Sequence, residues 1–287
     1  MRQHGAVAVA AALGLSAAAH AQTASAQPAP AASSTAPSQS AAPAGVNGPW
    51  QTDVTPFFWL PSMAGHVTLR GFETEANSTF LETIGNVSSF PISLMGEVDV
   101  HNDKWGVFIQ PIFMQLSFAP SGRFFRSDIT TTNFYLEFGG FYTLANGAFS
   151  PGSDWQVQAI AGGRYTQLDL KASLALNDPL PFGPGGLSAS GQQDWVDPFI
   201  GLRTQIGLGR DFMLAFRGDI GGFGAGSSFS WNLQGLIGYN FTMFGAPATA
   251  FIGYKGLYQN YQTGSGRNEF KWDEVFYGPA FGITTHF

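Results

Sequence analysis

The sequence predicts an all-β chain, an antiparallel transmembrane up-and-down β-barrel of about ten strands (eight to twelve). Three observations predict it. Long segments alternate apolar and polar residues with a period of two. Charged residues make up 11% of the 287, against about 25% in an ordinary soluble domain, while Phe occurs 27 times and Gly 37 times. Turn-forming clusters recur between aromatic and β-branched runs, and no run after the N-terminal segment is long and apolar enough for a membrane helix.

Four segments carry the alternation. In 133–144, Phe134, Leu136, Phe138, Tyr142 and Leu144 share one face, with Asn133, Tyr135, Glu137 and Phe141 on the other. In 196–208, Val196, Ile200, Leu202, Ile206 and Leu208 oppose Asp197, Phe199, Arg203 and Gln205. In 212–222, Phe212, Leu214, Phe216 and Ile220 oppose Arg217 and Asp219. In 229–241, Phe229, Trp231, Leu233, Ile237 and Tyr239 oppose Ser230, Asn232 and Gln234. A soluble sandwich or lipocalin-like barrel would need more Lys and Glu on its exterior. A barrel in lipid fits, because closure satisfies every backbone group without leaving an edge.

The turns delimit strands near 51–70, 91–101, 104–118, 125–144, 153–171, 191–208, 211–223, 228–243, 248–262 and 268–287. An even number puts both termini on the periplasmic side, with short turns there and longer loops outside. The turn at 145–152 is longer than that scheme expects, and residues 61–65 could break the first strand. Pro111, Pro198 and Pro279 lie inside strands, and bulges are expected there because each lacks a ladder N–H. Residues 77–85 read as a short helix with Thr79 and Glu82 at capping-box spacing and Gly85 as its stop. They form either a rim turn or a lid. The apolar connection at 173–190 either lies on the outer leaflet or guards a hydrophobic ligand site.

Residues 1–21 fit a signal peptide: Arg2, an apolar small-residue run, and Ala19-His20-Ala21 as an A-x-A site. Residues 22–49 are an uncharged Ala/Pro/Ser-rich stretch expected to be a disordered periplasmic tether, leaving 50–287 as the barrel. The net charge of −6 argues against a nucleic-acid partner. With no Cys, thiolate metal sites and Cys nucleophiles are excluded.

The blocks WVDPFIGLRTQ (195–205), FRGDIGGFG (216–224), WNLQGLIGYN (231–240), GYKGLYQNY (253–261) and the closing YGPAFGITTHF carry a resemblance, with FLETIGN (80–86) ahead of the second strand. Together they resemble a family of small, largely uncharacterised proteobacterial outer-membrane β-barrels, distantly similar to the OmpW and OmpA barrel architecture. The resemblance covers roughly 50–287 and implies a bacterial outer-membrane location and this fold. It brings no catalytic residues.

The inward parity collects Glu97, Asp99, Glu137, Arg164, Asp197, Arg203, Arg217, Asp219, Lys255 and Glu274. Two readings fit them: pairs that hold a narrow barrel together across the lumen, or the lining of a narrow aqueous path. Terminal Phe287, on an alternating strand, resembles the signal read by the barrel assembly machinery. Past the signal segment the His residues are His66, His101 and His286, too scattered for a metal site or a hydrolase.

The expected function is a passive porin-like or structural envelope barrel with a mostly occluded polar lumen and no cofactor. Its partners would be outer-membrane lipid, the assembly machinery, and a small solute or hydrophobic ligand. The alternative is binding or transport of small hydrophobic molecules at an extracellular loop site; an outer-membrane hydrolase is the least favoured reading.

Overall fold

The structure, a computed structural model, describes residues 49–69, 72–75, 77, 79, 95–118, 125–176 and 186–287. Those residues form an antiparallel barrel. Its strands are β1 (Gln51–Trp59), β2 (Ser62–Leu69), β3 (Phe72–Glu75), β4 (Gly96–His101), β5 (Trp105–Phe118) and β6 (Phe125–Ala148). They are followed by β7 (Asp154–Leu176), β8 (Gly186–Leu208), β9 (Phe212–Gly221), β10 (Phe229–Met243), β11 (Ala246–Thr263) and β12 (Phe270–His286). From β4 onward each strand pairs with the next, and β12 pairs with β1, which closes the wall.

β1 and β2 form one wall strand. Both pair with β12, Trp59 opposite Ala280 and Ser62 opposite Tyr277, so the chain keeps its direction across Leu60 and Pro61. The closed wall therefore has ten strands, with β3 folded back on β2. The interruption does not make a hairpin. Leu60 stays in register against β12, its N–H bonded to the Pro279 carbonyl at 2.9 Å, and only Gly fits at 278, where a Cβ would lie 2.1 Å from the Leu60 carbonyl.

Other expectations need correction. β6 runs on to Ala148 by absorbing one register shift between Thr143 and Ala145, so the turn before β7 is short and conforms to the others. No bulge forms at the prolines. Pro111 and Pro198 keep register with β6 and β7, and Pro279 with β11. Each sits where the ladder on its other side stops or is interrupted: β4 ends beside Pro111, β9 beside Pro198, and β1 breaks beside Pro279. The missing N–H therefore falls where no partner needs it. Of the expected helix at 77–85, Asn77 and Thr79 are not helical, and the other positions lie outside the described residues. So do the signal segment, nearly all of the 22–49 tether, and the tip of the 173–190 connection, whose flanks continue as β7 and β8.

The two ends differ. One has short turns. Asn102 accepts from the N–H groups of Lys104 and Trp105 at 2.9 and 3.0 Å, and Phe244–Gly245 turns between β10 and β11 with both φ angles positive. At the other end β6, β7 and β8 run 24, 23 and 23 residues, about twice the ~9–11 needed to cross a bilayer.

The exterior carries an apolar band bounded by rings. Phe138, Ile200, Leu202, Phe216 and Ile252 are exposed in it, and Leu233 is 63% exposed. Near the short turns lie Trp50 against Trp105 at 4.8 Å, Phe149 on Trp155 and Phe212 beside Tyr239. Toward the tall end lie Phe134 with Tyr165 and Trp231 stacked on Tyr258. Beyond that ring the outward positions of β7 change from Ala, Gly and Tyr to Gln167, Asp169, Lys171 and Ser173.

Candidate functional site

The lumen is filled by its own side chains, and the register explains how. Across the middle, Phe108, Gly139, Gly162, Phe199 and Gly221 lie side by side on neighbouring strands, all on the inner face. The glycines leave room for the rings. A Cβ on Gly162 would meet the Phe138 carbonyl at 2.1 Å, and one on Gly139 would meet the Phe108 ring at 3.1 Å. Phe108 and Phe199 thus approach to 6.4 Å and form an apolar floor with Phe141 and Ile160.

Four charged residues close a ring over that floor. Arg164 donates from Nε to Glu137 Oε1 at 2.8 Å and from Nη2 to Asp219 Oδ1 at 2.7 Å. Arg217 reaches the opposite oxygens, Glu137 Oε2 at 2.6 Å and Asp219 Oδ2 at 3.1 Å. Two forks meet two carboxylates, so every charge has its counter-charge. Arg164, Glu137 and Asp219 lie on β7, β6 and β9, so the ring ties strands that are not neighbours. Arg164 and Glu137 are 0% exposed. Both guanidinium groups also stand over rings: Arg164 is 5.3 Å from Phe199, and Arg217 is 5.3 Å from Phe108.

The other inward charges are placed around this ring. Arg203 meets Asp99 at 3.2 Å, donates from Nε to Gln158 Oε1, and lies 3.6 Å over Phe141. Lys255 donates to Gln110 Oε1 at 3.1 Å, and Gln110 donates in turn to Glu97. Register sets Asp197 opposite Arg164, yet its carboxylate turns away to the connection before β10. It accepts from Ser227 N at 2.6 Å, Ser227 Oγ at 2.8 Å, Gln259 Nε2 at 3.1 Å and Trp195 Nε1 at 3.3 Å. Glu274 is 0% exposed, and neither of its oxygens accepts a hydrogen bond from a described residue. Toward the tall end the filling becomes apolar: Trp59, Met63, Ile112, Met114, Leu168, Trp272 and Phe276 are all buried.

A second cluster escaped the sequence reading. Near the short turns Asp53 accepts from His286 Nδ1 at 2.7 Å and lies 3.4 Å from His101 Nε2, while His286 Nε2 is 3.1 Å from Thr249 Oγ1. The order carboxylate, imidazole, hydroxyl is that of a hydrolase triad. Thr249, however, is buried, also bonds Asn240 at 2.8 Å, and sits mid-ladder between β10 and β12, so its backbone offers no oxyanion donor. The cluster instead bridges β1, β4, β11 and β12 at the closing seam. Asp53 shares the inward parity of Thr55 and Phe57, and carrying the inward parity onto the first strand would have found it. The remaining histidine among the described residues, His66, is exposed on β2 with Glu75 at 4.0 Å. Among the described residues no group of three acids or histidines is placed to hold a metal ion.

No family model and no curated protein matches the sequence, so the likeness in the C-terminal blocks stands as a resemblance. Solved structures do match. The outer membrane protease OmpT from Escherichia coli is similar at a TM-score of 0.51 with 10% identity, covering 83% of this chain and 96% of that one. Ail, the attachment invasion locus protein of Yersinia pestis, matches at 0.35 with 10% identity, covering 84% and 100%. The first of these likenesses extends to the fold of the closed barrel.

Proposed function

We propose that this chain is an integral barrel of the bacterial outer membrane, passive and non-enzymatic, with a porin-like or structural role and a mostly occluded polar lumen. The observation that carries the reading is the buried ring of Arg164, Glu137, Arg217 and Asp219 above the Phe108–Phe199 floor. A barrel of ten strands is narrow, between the side-chain-filled eight-stranded type and the open sixteen-stranded channel. A ring of complementary charge across it leaves water no path. The banded exterior supports a lipid environment, and the short-turn end, which holds both ends of the wall, corresponds to the periplasmic side.

The chain's partners follow from this reading. Lipid contacts the apolar band. Phe287, exposed at the end of β12 and bonded through its backbone to Thr52 at 2.9 and 3.0 Å, is the residue offered to the assembly machinery while the seam between β12 and β1 closes. The hydrophobic-ligand alternative relies on loop residues that lie mostly outside the described ones, and no observation favours it. The triad-like order at Asp53 supports a latch at the seam, so a fluorophosphonate probe is expected to leave Thr249 unlabelled.

Single-channel recording in a planar bilayer tests the reading: the intact chain is expected to give little or no steady conductance. A large, steady conductance would refute the occluded lumen. The membrane assignment has its own test, heat-modifiable gel mobility together with Leu233→Arg. Placing that charge on the lipid face is expected to cost about 2–4 kcal/mol in refolding equilibria. No loss there would show that Leu233 does not face lipid.

A further inference from the structure

The inward bases of this lumen share a pattern. Each has an oxygen acceptor on one side and an aromatic face on the other. Arg164 and Arg217 have Glu137 and Asp219 with Phe199 and Phe108; Arg203 has Asp99 with Phe141; Lys255 has Gln110 with Trp59 at 5.6 Å. Glu274 offers the same two halves without the base. Its carboxyl is fully buried and unpartnered among the described residues. Trp272 and Phe276 flank it on the inner face of β12, with their rings 6.0 Å apart, and Trp59 and Tyr135 each lie 6.4 Å from Phe276. The Tyr135 hydroxyl and the indole N–H groups of Trp59 and Trp272 are also buried with no partner among the described residues. Gly65 on β2 makes room for the carboxyl, since a Cβ there would come within 2.7 Å of Glu274 Oε2.

We infer that Glu274, Tyr135 and the rings of Trp59, Trp272 and Phe276 form a binding site for a small organic cation bearing a primary ammonium. The inference deepens the reading of the chain as a barrel with an occluded lumen and rests on it. A buried ionised carboxylate without a counter-charge is strongly disfavoured. The other inward carboxylates have partners, Asp197 and Glu97 among neutral donors and Glu137, Asp219 and Asp99 among arginines. An ammonium would donate charge-assisted hydrogen bonds to Glu274, donate a further one to the phenol oxygen of Tyr135, and lie against ring faces that attract cations. A hard metal ion does not fit, because it needs some six or more oxygen ligands and the site supplies two carboxylate oxygens and one phenol. The residues are closed over one another, so entry requires the rings to part and binding is slow.

The test uses the full chain refolded in detergent micelles, with tryptophan fluorescence read during titration with n-butylammonium at fixed ionic strength. Saturable, slow quenching is expected, with none from 1-butanol, the neutral analogue. Glu274→Gln, which keeps the shape, is expected to weaken binding at least about tenfold through loss of the charge-assisted contact. Asp169→Asn, which removes an acid from the outward side of β7, is expected to leave amine binding unchanged. Equal binding by Glu274→Gln, or the same signal from 1-butanol, overturns the site. Unchanged heat-modifiable mobility of Glu274→Gln shows that the variant has folded, and its thermal midpoint is expected to rise because an unpaired buried acid is gone. Conductance separates the two claims. A silent barrel that ignores the amine loses this site alone, whereas a freely conducting barrel loses the occluded lumen whatever the amine does.

Discussion

In the middle of the lumen, toward the short turns, closure depends on four charges placed within hydrogen-bond reach of one another over a floor of phenyl rings. Toward the tall end it depends on Trp59, Met63, Met114, Leu168, Trp272 and Phe276 filling space. The first arrangement is directional. An Arg fork that loses one carboxylate leaves a buried charge uncompensated, and no neighbour can slide in to replace it. The second is not directional. Apolar side chains of similar volume can exchange at small cost, and Met adapts its shape to irregular gaps. The two halves of one lumen should therefore respond differently to substitutions of similar size.

The largest effect is expected at Arg164. Arg164→Ala leaves Glu137 and Asp219 sharing Arg217 alone in a site without solvent, and a cost of about 3–5 kcal/mol is expected in urea unfolding from micelles. A double-mutant cycle of Arg164→Ala with Glu137→Gln should give a coupling of about 0.5–3 kcal/mol, because the two residues act as a unit. Additive losses would show that the ring is no more than a set of separate contacts. The same Arg164→Ala is expected to leave conductance low, since the apolar filling around Trp59, Trp272 and Phe276 still lies across the path.

Ser227→Ala probes the one carboxylate that serves the tall half with neutral partners. It removes the 2.8 Å hydroxyl bond to Asp197 and keeps the 2.6 Å backbone bond from the same residue. A loss of about 1.5–3 kcal/mol is expected, as for a hydrogen bond to a charged group. Hydrogen exchange should rise at 222–228 and not around Glu137. Exchange that rises equally at both places would mean that Asp197 supports the charged ring after all.

Much of this was legible in the sequence, and the physical reason is the alternation. Period two fixes which side chains enter the lumen. The wall strands followed from it, including β8 from the Val196–Leu208 pattern and β10 from Phe229–Phe241. Alternation cannot say which inward charges meet, because partners are set by stagger across the barrel. Glu137 reaches Arg217 on β9, far along the wall, while Asp197, the ladder partner of Arg164 on β8, is not among the bonds of Arg164. Nor can it rank neutral partners: Gln110, Gln158, Ser227 and Gln259 complete the polar contacts, and a count of charges passes over them. The prolines misled for a related reason. A missing N–H demands a bulge only where a neighbour would have used it, and that depends on where β4, β9 and β1 stop.

The smallest effect is expected at Phe276. It packs against Trp59, Tyr135 and Trp272, so a change there touches the centre of the apolar filling. Phe276→Leu keeps most of the volume, and Met63 is at hand across the seam to take up slack, being its ladder partner on β2. A loss below about 1.5 kcal/mol is expected, as for other volume-conserving exchanges in a packed interior. Conductance should stay as low as in the parent chain, because the charged ring lies in series with this layer and a path must cross both. Combining Phe276→Leu with Arg164→Ala, which loosens both layers, should then give a higher conductance than either change alone. If Phe276→Leu opens the barrel by itself, the apolar layer is the barrier, and the ring of Arg164, Glu137, Arg217 and Asp219 serves to hold the wall in register.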